Sequence, residues 1–276
     1  MLAVRMLGPL QVDGASRLGP RDFGGIKPRQ LLEILLAARG RAVPKERLAE
    51  LLWGDAQPRD AFATLETYVS GLRRRLGQTA ASSDGLVVTE TGAYRFAVDR
   101  VDLDLDRFDD LLARAEGAIG AARRRLLETA LDLVRADLLE DEPYATWLED
   151  LRAEYRERVA QARLDAAEAA FADADFGAGL AHAQRVLAGD PLDERAHRLV
   201  MLSLYASGRR HAALQAFDRC RAVLRDELGV DPLPETHALH TAILREEPVG
   251  LDRGRPGSGP APAPAFPAEA SAGIAR

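Results

Sequence analysis

The chain has 276 residues, 47% of them apolar, 29% charged and 5% aromatic, with a net charge of −6. That length suits two domains, each able to bury its own core. The longest near-apolar run, Leu31 to Ala38, contains Glu33 and is far too short to cross a membrane.

The first residues, MLAVRMLGPLQVDG, have no charged start, long apolar stretch or small-residue cleavage site of a signal peptide. The single cysteine, Cys220, allows neither an internal disulfide nor a Cys-based zinc site. Together these imply a soluble, cytoplasmic protein. Residues 1–98 carry 14 Lys+Arg against 10 Asp+Glu, whereas residues 99–276 carry 23 against 33. A mildly basic front and an acidic back point to different partners. Only Lys27 and Lys45 are lysines, so arginine abundance here reflects genome composition as much as function.

Leu2, Val4 and Met6 alternate, as do Leu10 and Val12, and Gly8-Pro9 breaks the run. Two short strands are expected. A helix with Pro28 in its first turn follows, carrying Leu31, Leu32, Leu35 and Leu36 and ending at Gly40. A second runs from Pro44 to Trp53-Gly54, and a third from Asp60 to Leu76. After a polar loop, Leu86–Thr89 and Tyr94–Val98 flank a Thr91-Gly92-Ala93 turn and read as a β-hairpin. Three helices closed by a hairpin form the winged variant of the helix-turn-helix.

From Asp99 the period becomes helical, with helices expected at 104–117, 119–136, 145–174, 177–188, 192–207, 209–227 and 234–246. Gly177-x-x-Leu180-Ala181 and Gly208-x-x-x-Ala212-Ala213 begin two segments alike, in the loose manner of tetratricopeptide helix pairs. The fold class is therefore mainly α with a small β component. Residues 1–98 form a winged helix, 99–248 an all-helical domain, and 249–276 a disordered Pro/Gly/Ala-rich tail. The first 98 residues are expected to fold alone.

On the third helix, Leu65, Val69, Leu72 and Leu76 make one core stripe, and Ala63, Thr67, Ser70 and Arg74 lie opposite. Such a small, polar and basic face suits a major groove and its phosphates. A solvated helix end, with Arg73–Arg75 meeting the negative end of the dipole, would share this pattern.

LGPLQV, KPRQLLEILLAARGRAVPKERLAELLWGD, ATLETYVSGLRRRLG and TGAYRF together resemble the OmpR/PhoB-type winged helix. More narrowly they resemble the Streptomyces antibiotic regulatory proteins, the AfsR/DnrI/RedD group. DLDLDRFDDLLARA and HRLVMLSLYASGRRHAALQAFDRCRAVLRDELGVDPLPETHALHTAIL are similar to the bacterial transcriptional activation domain of that group. The resemblance, over roughly residues 1–247, implies an activator of a biosynthetic (antibiotic) gene cluster. Such a protein binds direct repeats in promoter DNA as a homodimer and recruits RNA polymerase holoenzyme through its sigma factor. It also implies DNA-contacting positions at Trp53, Tyr68, Ser70, Gly71, Arg73, Tyr94 and Arg95, to which the outer face of the third helix adds Thr67 and Arg74.

Gly71 stands where many relatives have Arg, and Glu90 where the wing is often basic, placing a carboxylate near phosphate. With no GxxxxGK, the chain resembles the small members without an ATPase module.

No cofactor, metal or enzymatic motif is expected. His237 and His240 form an i,i+3 pair without a third ligand. Asp102, Asp104 and Asp106 read as a favourable helix start, and Glu140-Asp141-Glu142 as a solvated loop. The alternative functions are a helical-repeat protein–protein adaptor, which has no need of the Thr67/Ser70/Arg73/Arg74 face, and the output protein of a phosphorelay, for which a preceding receiver would be expected.

Overall fold

The computed structural model describes residues 2–77 and 85–250. Most of the polar loop before the hairpin, and the tail from residue 251, lie outside the described residues.

Strands β1 (Leu2–Arg5) and β2 (Gln11–Asp13) pair antiparallel with Val4 opposite Val12, both buried. Two strands too short to show a period extend them. β3 (Arg17–Leu18) pairs with β2, and β7 (Val101–Leu103) lies parallel to β1 on its other edge.

Helix α1 (Ile26–Ala37) begins two residues before Pro28, after Gly25, whose φ of 128° favours glycine. A short strand, β4 (Val43–Pro44), leads into α2 (Lys45–Trp53). Helix α3 (Ala61–Arg75) is capped by Asp60, whose carboxylate accepts from the Ala63 N–H at 2.9 Å. Leu65, Val69 and Leu72 are buried as their spacing requires. The hairpin β5 (Val87–Glu90) and β6 (Ala93–Phe96) takes β4 as a third strand, with Val43 opposite Tyr94.

The rest is helical: α4 (Asp104–Glu116), α5 (Gly120–Leu131), α6 (Glu149–Ala172), α7 (Phe176–Gly189), α8 (Glu194–Ala206), α9 (Arg210–Leu228) and α10 (Pro234–Leu244). The helix expected over 119–136 stops at Leu131. The backbone beyond turns away, and the N–H groups of Arg135 and Leu139 donate to Leu7 O (3.0 Å) and Met6 O (2.9 Å). The helix expected from 145 begins with a 3₁₀ turn, Thr146–Leu148. At the repeat crossing the small residue is Gly179. A Cβ there would lie 3.2 Å from both Ala167 O on α6 and Ser203 Oγ on α8. Ala181, the residue singled out by the repeat pattern, is exposed, whereas Ala213 is buried.

One apolar cluster runs from Val4 through Leu35, Leu72 and Phe96 to Phe108, Leu138 and Tyr155. A second runs from Leu164 to Ile243. Apolar packing thus continues past residue 98, and the two larger clusters meet within α6. Polar groups tie the same junction. Asp104, the first residue of α4, accepts from the Met6 N–H (2.8 Å) and Leu7 N–H (2.9 Å), so it clamps β1 as well as starting a helix. Arg39, at the end of α1, donates to Tyr155 Oη and Asp109, each at 2.8 Å.

Of the acidic run at 140–142, Glu140 is exposed as a solvated loop would have it, but Asp141 and Glu142 are not. Asp141 accepts from the Leu10 N–H at 2.9 Å, and Glu142, buried, accepts from Gln30 at 2.7 Å and from the Arg29 guanidinium. The sequence showed only its charges. The long-range donors just before β2 and on α1 that make burial tolerable had no local signature. Glu33 lies in the same cluster, fully buried, with Arg29 Nε 3.5 Å away and no hydrogen bond to either carboxylate oxygen. Burial first, then the negative charges of Glu142 and Asp141, push its carboxyl up to about 9.

Candidate nucleic-acid interface

Helix α3 presents its outer face to solvent because its apolar residues fill a single stripe. Ala63, Thr67, Ser70 and Arg74 are all exposed on it. Arg74 makes no hydrogen bond or ion pair among the described residues, so its guanidinium is available to an incoming acceptor. Thr67 Oγ1 bonds back to Ala63 O at 3.0 Å and keeps a lone pair outward. Two further exposed side chains lie to one side of this surface: Phe62, 44% exposed, and Glu66.

The other arginines of the run are engaged. Arg73 Nε and Nη2 donate to Val87 O at 3.0 and 2.9 Å, and Nη2 also to Thr89 Oγ1 at 2.7 Å. Arg73 therefore fixes the wing to α3. Arg75 Nε donates to Asp22 O at 2.8 Å, its guanidinium passing close to Gly71 and Gly24. A Cβ on Gly71 would approach Arg75 Nη1 to 3.3 Å. Glycine at 71 leaves room for this tie between α3 and the turn before α1.

Glu90 on the wing is paired with Arg95 Nε at 2.9 Å, so its charge is locally compensated. Tyr94, only 2% exposed, is a packing residue of the hairpin. Its ring lies 5.4 Å beneath the Lys45 ammonium, and burial holds its phenol above the usual value. Lys45 also bonds to Glu66 at 2.8 Å, and that carboxylate keeps the ammonium protonated more firmly than usual. Trp53 and Tyr68 are half-buried and pack at 6.1 Å, beside the exposed face.

The structure therefore brings Thr67, Ser70 and Arg74 together on one open surface with Trp53 and Tyr68 at its edge. It places Tyr94 and Arg95 in the wing and turns Arg73 from α3 toward the wing as its support. Phe62 and Lys45 were not anticipated. Phe62 has no sequence signal, since it stands three residues before Leu65 at the spacing of the core stripe, and its exposure is set by the fold. Lys45 has none, because only the fold brings it beside Glu66.

Among the described residues no group of acidic, His or Cys side chains has the arrangement of a metal site, and no helix is long and apolar enough to cross a membrane. His240 stacks on Phe217 at 3.9 Å and His237 meets the same ring edge-on at 5.2 Å.

A basic winged helix with a bare recognition face, joined to a helical domain, defines a DNA-binding transcriptional regulator. Residues 25–96 match the family model "Transcriptional regulatory protein, C terminal", and residues 103–244 match "Bacterial transcriptional activator domain". The chain belongs to the Streptomyces antibiotic regulatory protein family of transcriptional regulators, not to an enzyme family.

It is 36% identical to the regulatory protein AfsR of Streptomyces griseus over 95% of this chain and 26% of AfsR. It is 31% identical to the transcriptional regulatory protein MoaR1 of Mycobacterium tuberculosis, over 88% of this chain and 79% of MoaR1. The chain thus spans about a quarter of the AfsR proteins that it matches. Its structure is similar to that of Mycobacterium tuberculosis EmbR in complex with a low-affinity phosphopeptide. The TM-score is 0.79 at 29% identity, covering 90% of this chain and 66% of EmbR.

Proposed function

We propose that this regulator acts in the cytoplasm as an activator of a biosynthetic gene cluster. It binds direct repeats in promoter DNA as a side-by-side homodimer and recruits RNA polymerase holoenzyme through its sigma factor. The observation that carries the DNA-binding part is the exposed Thr67–Ser70–Arg74 surface on α3, backed by a fully apolar stripe. Arg74 donates to a base edge or a phosphate, and Thr67 and Ser70 supply short polar contacts that let the helix approach closely. Trp53 and Tyr68 meet the sugar–phosphate backbone beside the groove. Arg73 acts through the wing, holding Val87 and Thr89 so that Tyr94 and Arg95 sit at a fixed height over α3.

The division of labour follows from charge. Residues 1–98 carry 14 Lys+Arg against 10 Asp+Glu, and residues 99–276 carry 23 against 33, so the helical part turns toward protein instead of DNA. Two winged helices side by side on one face of the duplex require repeats spaced by about one helical turn, or a multiple of it.

Footprinting the full chain on promoters of its own genomic neighbourhood tests this directly. The expected result is protection of repeated elements in helical phase, with purified holoenzyme recruited only when they are occupied. Protection of a single unrepeated element would refute the side-by-side arrangement. Sequence-independent coating would refute the reading of α3.

A further inference from the structure

A groove of about 3260 Å³ runs along the helical domain, lined by residues of α4 to α8 and α10. Small-molecule pockets occupy roughly 300–1,000 Å³, so this space suits a length of polypeptide better than a metabolite. Four of its arginines are matched to carboxylates: Arg156 pairs with Asp137, and three others pair as follows. Arg123 bonds to Asp165 at 2.8 Å, Arg195 to Glu168 at 2.7 Å, and Arg158 to Asp109 at 2.7 Å.

Of the others, Arg198 bonds to Thr236 Oγ1 at 3.1 Å and Arg135 is exposed to solvent, which leaves two that lie together. Arg163 on α6 is half-buried, and Arg185 on α7 is exposed. Neither has a hydrogen bond or ion pair among the described residues. What Arg163 does face is Arg185, and burial together with that like charge lowers its pKa. His182, one turn before Arg185, shares this surrounding and has a buried Nδ1 without a partner. A half-desolvated guanidinium with five donors and no acceptor is costly unless an acceptor arrives.

We infer that the Arg163–Arg185 pair is the recognition point for an acidic side chain of a partner protein, bound as an extended or helical segment along this groove. Carboxylates are the natural occupants, because a guanidinium fork takes them in bidentate geometry. A nucleic acid is disfavoured. Asp137, Glu154, Asp165, Glu168, Asp173 and Asp190 also line the groove, and a strand of phosphates along its length would meet them throughout. A peptide with a short acidic stretch at the Arg163–Arg185 position and neutral or basic residues elsewhere meets no such repulsion. The inference rests on the proposed assignment of the helical domain to protein contacts, and names the chemistry of one such contact.

Selection of a random dodecapeptide phage library on the full chain, without DNA or polymerase, tests it. The expected outcome is enrichment of peptides with adjacent Asp or Glu residues, binding the wild type at least tenfold more tightly than Arg163→Ala. Arg185 is exposed, so Arg185→Glu should fold normally, and it should convert the selected signature from acidic to basic. Circular dichroism and operator binding report folding of each variant, and both should be unchanged. Enrichment without acidic bias, or acidic peptides that bind Arg185→Glu as well as the wild type, would overturn the inference. So would single-stranded oligonucleotides competing for the same site. Because the selection contains no promoter, its failure leaves the DNA-binding result standing, and a negative footprint leaves the peptide result standing.

Discussion

Helix α3 and the segment from Leu138 to Ala145 make an instructive pair, because each shows a row of charges in the sequence and the fold treats them oppositely. On α3 the outward residues stay outward, and Arg74 keeps no partner among the described residues. In the second segment Asp141 and Glu142 are drawn into the junction between the winged helix and the helical domain, where Arg29, Gln30 and the Leu10 N–H receive them. Arg152 closes the same segment from α6, donating to Leu138 O and Leu139 O at 3.0 Å. A charge at helical spacing opposite an apolar stripe can be placed from sequence. A charge in a connecting segment takes its role from whatever the chain brings to it.

The sharpest way to break the contrast is to cut the chain. The expectation that residues 1–98 fold alone has to be revised, since the cut removes β7 from the edge of β1 and the Asp104 carboxylate from the Met6 and Leu7 N–H groups. It also uncovers the face of the first cluster covered by Phe108, Leu138 and Tyr155. A fragment ending at Ala172 is expected to unfold cooperatively in urea, and the 1–98 fragment to show a broad or absent transition. Equal transitions would mean that the junction adds nothing.

Within the full chain, Arg29→Ala leaves Glu33, Asp141 and Glu142 facing one another without their shared cation. Breaking a buried pair in this way costs about 3–5 kcal/mol, so a fall of that size in unfolding free energy is expected. Glu33 gives a pH signature. Its folded value of about 9 lies above its ordinary 4.5, so between the two the folded chain holds a proton that the unfolded chain releases. Its stabilisation is complete below 4.5 and is lost as pH rises through about 9, by at most about 1.4 kcal/mol per pH unit. Denaturant melts across that window should flatten for Glu33→Gln relative to the wild type. Identical slopes would show Glu33 ionised in the fold.

The local elements were legible for a physical reason. The helix stripes, the Asp60 cap and the hairpin turn at Gly92 are set by residues a few positions apart. The strands β3, β4 and β7 were not, because two or three residues carry no period and owe their existence to a neighbouring edge. At the candidate interface the exposed face of α3 followed from its own periodicity. The capture of Arg73 by Val87 and Thr89 did not, since those acceptors lie beyond a loop whose course no local pattern fixes. The Arg95–Glu90 pair spans a turn and was within reach of a register argument, as the two strands of the hairpin set them close together.

The most direct test of the central claim, that the open face of α3 reads DNA while its neighbour Arg73 holds the wing, is the salt dependence of operator binding for Arg74→Ala and Arg73→Ala side by side. If Arg74 contacts a base, its loss costs about 1–3 kcal/mol of operator affinity, and nonspecific DNA is bound as before. If it contacts a phosphate, the loss lowers the slope of log K against log salt by about 0.9. Arg73→Ala should weaken binding with the slope preserved, and should lower thermal stability, because Val87 O and Thr89 Oγ1 lose their donor. Wild-type affinity and slope in Arg74→Ala, together with a lowered slope in Arg73→Ala, would reverse the two roles and contradict the account.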